Sequence, residues 1–203
     1  IPVTLSVDTD FSNSINLADE IALCNAETGE IYAIMKVTDK YSPDKQFETK
    51  NVFATNDQNH PGVKKVFLQP SINLGGPVTV INEGSFPGLY EGLYLRPKDA
   101  RSKFDSLGWA EVSAFQTRNP MHRSHEHLVK IAAEVTDGVF IHQVLGKLKP
   151  GDIPAKIRTK AIQVMIDNYF KPNNIIQAGY PIEMRYAGPR EAVFTALCRK
   201  NYG

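Results

Sequence analysis

A β domain followed by an α/β domain on a parallel sheet is the fold predicted for this chain. Three observations predict it. Before Pro97 short apolar segments are punctuated by Gly and Pro turns. After Trp109 apolar strands alternate with amphipathic stretches. One of those strands, "GVFIHQVL", is apolar almost throughout, as burial on both faces requires.

In chain order, "EIALCNAETGEIYAIMKV" reads as a hairpin turning at Ala26 to Glu30. "VKKVFLQP" and "PVTVINEG" read as two further strands, bounded by Pro61-Gly62, Pro70, Gly75-Gly76-Pro77 and Gly84. No long helix is expected before Pro97, so a small barrel or rolled sheet is predicted for residues 1–107. "RPKDARSKFDSLG" is a connecting helix ending near Gly108. In residues 108–203, "WAEVSAF" is a strand, and Leu128, Ile131, Ala132 and Val135 mark the inner stripe of a helix. After "GVFIHQVL", Asp152 is expected to cap a second helix, with Pro154 in its first turn and Ile157, Ala161, Met165 and Tyr169 facing inward. "NNIIQAGY" is a third strand and "GPREAVFTALCRKNYG" a third helix. Such alternation implies right-handed crossovers. The chain opens at Ile1 rather than Met and stops where a doubly wound sheet would return with another strand, so a longer natural protein is expected.

The 203 residues are 42% hydrophobic, enough to bury a substantial core. With 23 basic and 22 acidic residues the formal charge is +1, which argues against nucleic-acid binding over a broad surface but permits a local basic pocket. The two cysteines, Cys24 and Cys198, lie far apart in sequence and outside any CxxC or Cys/His cluster. A cytoplasmic protein without a structural zinc site is expected. There is no apolar run of about 18 residues, so no membrane span is expected. GxGxxG and P-loop motifs are absent.

The stretch "SAFQTRNPMHRSHEHL" concentrates the chemistry. Gln116 to Met121 leaves the carboxyl end of a parallel strand, where open sheets bind ligands. The following helix begins near His122, and its free N–H groups and positive dipole end face the same space. His122 and His125 share one face of its first turn, from which both imidazoles can donate to phosphate oxygens. Arg118 supplies a planar cationic fork for a tetrahedral oxyanion, and Gln116 and Asn119 add neutral donors. This set suits an anionic nucleophile and a nucleoside triphosphate held together while charge develops on pyrophosphate. No metal-ligand set is assigned: the two histidines lack a third ligand nearby. His127 and Arg123 read as surface residues. Lys147 and Lys149 in "GKLKPGD" lie on the ligand side; Arg185 and Arg190 read as salt-bridging supports, and His60 as a turn residue before Pro61.

"QTRNPMHRSHEH" resembles the signature of the ATP sulfurylase (sulfate adenylyltransferase) family, QxRN followed by HxxH. "NHPGV", "LRPKDARSKFDSLGWAEVSAFQTRNP", "KPGDI" and "MRYAGPREA" resemble the same family in the same order, over nearly the whole chain. The resemblance implies a PUA-like N-terminal barrel and the first part of a nucleotidyltransferase domain related to HxGH folds, Ser124 standing where the broader pattern has glycine. It implies the reaction of ATP with sulfate to adenosine 5′-phosphosulfate and pyrophosphate, by direct attack of a sulfate oxygen on the α-phosphorus. Gln116 and Arg118 would hold sulfate, and Gln116, Thr117, Arg118 and Asn119 would contact ATP. Thr117, Arg118 and Asn119 would form the catalytic loop, with His122 and His125 stabilising the transition state. Mg²⁺ would arrive with ATP, no protein-bound cofactor is implied, and a full-length homo-oligomer is expected. The family's second active-site loop, Gly-Arg-Asp followed by His-Ala, would come just after "RKNYG"; the chain alone is therefore expected to be inactive or severely impaired.

Two other readings compete. One is an RNA-binding module, which the balanced charge and the lack of an aromatic-plus-basic stripe oppose. The other is a nucleotidyltransferase with a different acceptor.

Overall fold

The computed structural model describes residues 1–146 and 151–203, in two compact units. The first unit comprises Ile1–Pro87 with Arg185–Thr195, the second Gly88–Met184 with Ala196–Gly203.

The first unit carries β1 (Leu5–Val7), α1 (Thr9–Ser14), β2 (Glu20–Cys24), β3 (Ile31–Lys36), β4 (Asp39–Tyr41), α2 (Lys45–Phe53), α3 (Pro61–Leu68), β5 (Ile72–Gly75) and β6 (Val78–Val80). The short helix α4 (Phe86–Leu89) follows. The predicted hairpin forms: β2 and β3 pair antiparallel, and the Asn25 side chain accepts from the N–H groups of Glu27 (2.8 Å) and Thr28 (3.2 Å) at its turn. Along β3 the inward positions Ala33 and Met35 alternate with exposed ones, and Met35 packs with Ile15, Val37 and Leu74 in the core.

Two expectations for this unit fail. Its strands form two separate three-stranded antiparallel sheets, β1-β5-β4 and β2-β3-β6, and no closed barrel. With β1, β4 and β6 only three residues long, these ladders are too short to wrap into one continuous sheet. "VKKVFLQP" is also not a strand but most of α3, and α2 is a further helix before Pro97. Capping overrides the β preference of Val63 and Val66. Pro61 sits in the first turn of α3, and His60 Nδ1 accepts from the N–H groups of Gly62 (3.2 Å) and Val63 (3.3 Å). Asp44 caps α2 through Phe47 N–H at 2.9 Å.

The second unit carries α5 (Pro97–Ser106), β7 (Val112–Thr117), α6 (Arg123–Val135), β8 (Gly138–Val144), α7 (Ala155–Tyr169) and β9 (Ile175–Tyr180). The helix α8 (Pro189–Lys200) begins in the first unit and ends in the second. The predicted parallel sheet is present with the order β7-β8-β9, and every residue of β8 is buried. One sheet face packs Phe140 and Ala178 against Ala100, Phe104, Trp109 and Tyr202; the other packs Val139, Ile141 and Ile175 against Val129, Ile162 and Met165. Gly138 allows the close approach at the strand's start, because a Cβ there would lie 2.2 Å from the Trp109 ring.

The helix faces differ from the predicted stripes. In α6 the inward residue is Val129, flanked by Ala132 and Ala133, whereas Leu128, Ile131 and Val135 are 53%, 47% and 69% exposed. His125 packs edge-on to Phe115 of β7, and that contact sets a phase in which Val129, four residues on, points inward. In α7 the buried residues are Arg158, Ile162 and Met165, while Ile157, Ala161 and Tyr169 are exposed. The N-cap of α7 is Pro154 without a side-chain cap bond, so Asp152 does not cap it. No helix among the described residues is long and apolar enough to cross a membrane.

Candidate active site

The carboxyl end of β7 presents the signature in a locally closed loop. Gln116 lies opposite His142 of β8, and its side-chain amide donates to Met184 Sδ at 3.9 Å. Thr117 is buried, and its hydroxyl makes two bonds inside the loop. It donates to Asn119 O at 2.9 Å and accepts from Asn119 N–H at 3.1 Å. This pinch turns the chain after the last ladder position and leaves Asn119 exposed. Arg118 is half-buried, with Nη1 3.9 Å from Asp152 Oδ2.

The two histidines build the start of α6 themselves. His122 is its N-cap residue, and His122 Nδ1 accepts from Ser124 N–H at 3.4 Å. Ser124 Oγ lies 3.0 Å from the same nitrogen. His125 Nδ1 accepts from His122 N–H at 3.3 Å, so the imidazoles play the reciprocal roles of a capping box. Their ring centroids are 4.0 Å apart. A neutral imidazole whose Nδ1 accepts carries its proton on Nε2. Each ring therefore keeps an Nε2–H donor besides its structural bond. Burial, and secondarily His122, hold the His125 pKa below the ordinary histidine value, which favours this neutral form.

The sequence-selected residues Gln116, Thr117, Arg118, Asn119, His122 and His125 thus stand on one strand end, its loop and the next helical turn. Lys147 and Lys149 lie outside the described residues. Asp152, read from sequence as a cap, is instead the acidic neighbour of Arg118. Met184, Arg158 and Glu191 were given no individual role from sequence; Met184 and Arg158 act through contacts distant in the chain, and Glu191 through backbone N–H groups six and four residues before it. His60 is more than a turn residue: besides capping α3, its Nε2 lies 3.1 Å from Tyr186 O. Glu191 is buried and accepts from the N–H groups of Arg185 (2.6 Å) and Ala187 (3.1 Å), tying down the "MRYAGPREA" segment. Both cysteines are free thiols.

Comparison with known proteins finds relatives along the whole chain. A PUA-like domain family matches residues 1–83, and the ATP-sulfurylase family matches residues 91–203. Proteins named sulfate adenylyltransferase are 58% identical in Thiobacillus denitrificans and 56% in Ruthia magnifica over 203 residues, and 56% in Syntrophobacter fumaroxidans over 204. Each comparison covers 100% of this chain and 50% of the relative, so the chain spans about half the length of the curated relatives it matches. A solved structure described as a hexameric APS kinase from Thiobacillus denitrificans shares the fold, with a TM-score of 0.68 at 20% identity over 100% of this chain and 36% of that one. From its second unit's signature and its whole-length likeness to these relatives, the chain belongs to the ATP-sulfurylase family.

Proposed function

We propose that the protein is a sulfate adenylyltransferase and that this chain carries the first part of its active site. The observation that carries the reading is the pair of imidazoles, each using Nδ1 in the helix start and so keeping an Nε2–H to donate to an anion. In this reading Arg118 and Gln116 bind sulfate. Gln116, Thr117, Arg118 and Asn119 contact ATP, which enters with Mg²⁺ held by its phosphates. A sulfate oxygen attacks the α-phosphorus in line, the bond to the bridging oxygen of the β-phosphoryl group breaks, and pyrophosphate leaves with that electron pair. No proton transfer and no protein nucleophile are needed. Thr117, Arg118 and Asn119 set the geometry, while His122 and His125 donate to the phosphates as negative charge shifts toward pyrophosphate.

The finer assignments rest on the family signature: a nucleotidyltransferase domain of the HxGH kind, residue ranges of 1–107 and 108–203, and a cytoplasmic setting, which the two free thiols suit. The exposed apolar stripe Leu128, Ile131 and Val135 on α6 supports a homo-oligomer in the full-length protein. Because the chain spans half of its relatives' length, we expect it to be inactive or severely impaired alone. The test offers adenosine 5′-phosphosulfate, pyrophosphate and Mg²⁺ to the chain and to the full-length protein, and follows ATP. ATP from the full-length protein that Arg118→Ala abolishes supports the reading, and full-length protein that makes none refutes it.

A further inference from the structure

The outer edge of β9 is open over its first half. Asn174 O accepts from Val139 N–H at 2.9 Å and Tyr180 O from Leu145 N–H at 2.8 Å, so the even-numbered residues turn their backbone groups toward β8. The odd-numbered residues turn theirs away, and Gly179 N–H donates outward to Leu93 O at 2.7 Å. The covering segment curls off at that point, with the N–H groups of Leu93 and Tyr94 both donating to Tyr90 O. The N–H and C=O groups of Ile175 and Gln177 therefore face outward with no hydrogen-bond partner among the described residues. Such an edge is a template for another strand.

A cavity of about 840 Å³ follows this stretch, with Ile175, Ile176 and Gln177 in its lining. α5 and α7 cover opposite sheet faces, so the cavity is a cleft between two helices with the strand edge as its floor. α7 contributes Lys156 and Lys160, and α5 contributes Lys103 and Leu107. All three lysines are exposed, and among the described lining residues Glu91 is the one carboxylate against them. The Gln177 amide is already committed: it accepts from Gln143 Nε2 at 2.9 Å and donates to Gln163 Oε1 at 2.5 Å. These bonds fix the strand against α7 and leave its backbone groups to meet a ligand. Lys156 and Lys160 stand four residues apart, about 6 Å along the helix, and alternate residues of an extended chain are about 6.6 Å apart. The two spacings match.

We propose that this edge docks an extended segment of a partner protein as an added strand, with acidic side chains at alternate positions and apolar ones between. The segment's backbone pairs with Ile175 and Gln177. Its carboxylates meet Lys156 and Lys160, and its apolar side chains turn toward Leu107 on the α5 side. Ile175 stands level with Val139 and Ser113, at the amino end of the sheet, whereas the QTRN signature leaves the carboxyl end. Docking therefore leaves the signature loop open.

The test offers the full-length protein an alternating valine–glutamate octapeptide and reads binding together with residue-resolved amide hydrogen exchange. Binding slows exchange at Ile175 and Gln177 by about tenfold or more. The same peptide N-methylated throughout does not bind, and the valine–lysine counterpart binds about tenfold more weakly or not at all. Lys156→Glu combined with Lys160→Glu reverses that order of preference and leaves the thermal midpoint unchanged, since both side chains are exposed. No binding of the valine–glutamate peptide up to about 1 mM overturns the proposal. So does binding that leaves exchange at Ile175 and Gln177 unchanged, or a charge reversal without effect on the preference. If the free protein already protects both amides and loses that protection on dilution, a second copy covers the edge. If dilution changes nothing, the rest of its own chain covers it. Either result also overturns the partner-peptide proposal.

Discussion

The main-chain N–H of His122 donates to Nδ1 of His125 at 3.3 Å, making the second histidine of the signature part of the helix start that the first one caps. Each ring holds α6 through Nδ1 and leaves Nε2 for the proposed contact with a phosphate. The capping role of His125 and its proposed catalytic role are therefore separable. His125→Ala is expected to cost about 1 kcal/mol of stability, the usual value of a lost cap. His125→Asn retains an acceptor near the Nδ1 position and recovers most of it. Both substitutions lower full-length activity by roughly 10²-fold or more, since neither supplies the Nε2–H donor. Urea denaturation near pH 7.5 and turnover measured together check this. Equal stability losses in both variants would remove the capping role.

Acid sensitivity of the fold is expected to centre on His142. It has no exposed surface, bonds Gly179 O through Nε2 at 3.2 Å, and lies among the rings of Phe140, Tyr180 and Tyr202. Burial, and secondarily Arg199, push its pKa down to about 3. Between that value and its ordinary 6.5, the unfolded chain binds a proton that the folded chain refuses. Stability is full above about pH 6.5 and is lost as pH falls toward 3, by on the order of 4 kcal/mol from this group. His142→Gln keeps a donor for Gly179 and removes the titration. Its urea midpoints from pH 4 to 7 should show a slope shallower by about 1.4 kcal/mol per pH unit. An unchanged slope would assign the acid sensitivity to other groups.

Glu191 accepts from two backbone N–H groups, those of Arg185 and Ala187, around Tyr186 at a positive φ of 61°. Glu191→Ala strands both donors in a buried place and should cost about 2–4 kcal/mol. Glu191→Gln keeps one acceptor oxygen and loses less. His60→Ala should cost about 1–2 kcal/mol through the α3 cap and the contact with Tyr186 O. Amide hydrogen exchange at Arg185 and Ala187 distinguishes the two routes. Only the Glu191 substitutions should accelerate it directly.

The parallel sheet was legible because its signal is spread over many residues. β8 reads as apolar almost end to end, and strands alternate with amphipathic stretches after Gly108. The candidate residues stand together because one continuous segment, from the end of β7 to the first turn of α6, contains them. What escaped depends on a single local bond or a distant partner. α3 turns on His60 Nδ1, which outweighs the strand preference of Val63 and Val66. The faces of α6 and α7 are each rotated from the apolar stripe, because His125 meets Phe115 and Arg158 reaches Val144 O. Asp152 bears the mark of a cap in sequence, yet it lies beside Arg118 in space.

The bonds of Thr117 with Asn119 bear on how a ligand arrives. A loop whose turn is already closed by a buried hydroxyl has little backbone order left to acquire when an anion docks. Association at this end of the sheet should then behave as docking onto a prepared surface, with encounter limited by diffusion and steering and no slow ordering phase. The entropy of shaping the loop is spent during folding, so binding free energy is kept for the chemistry.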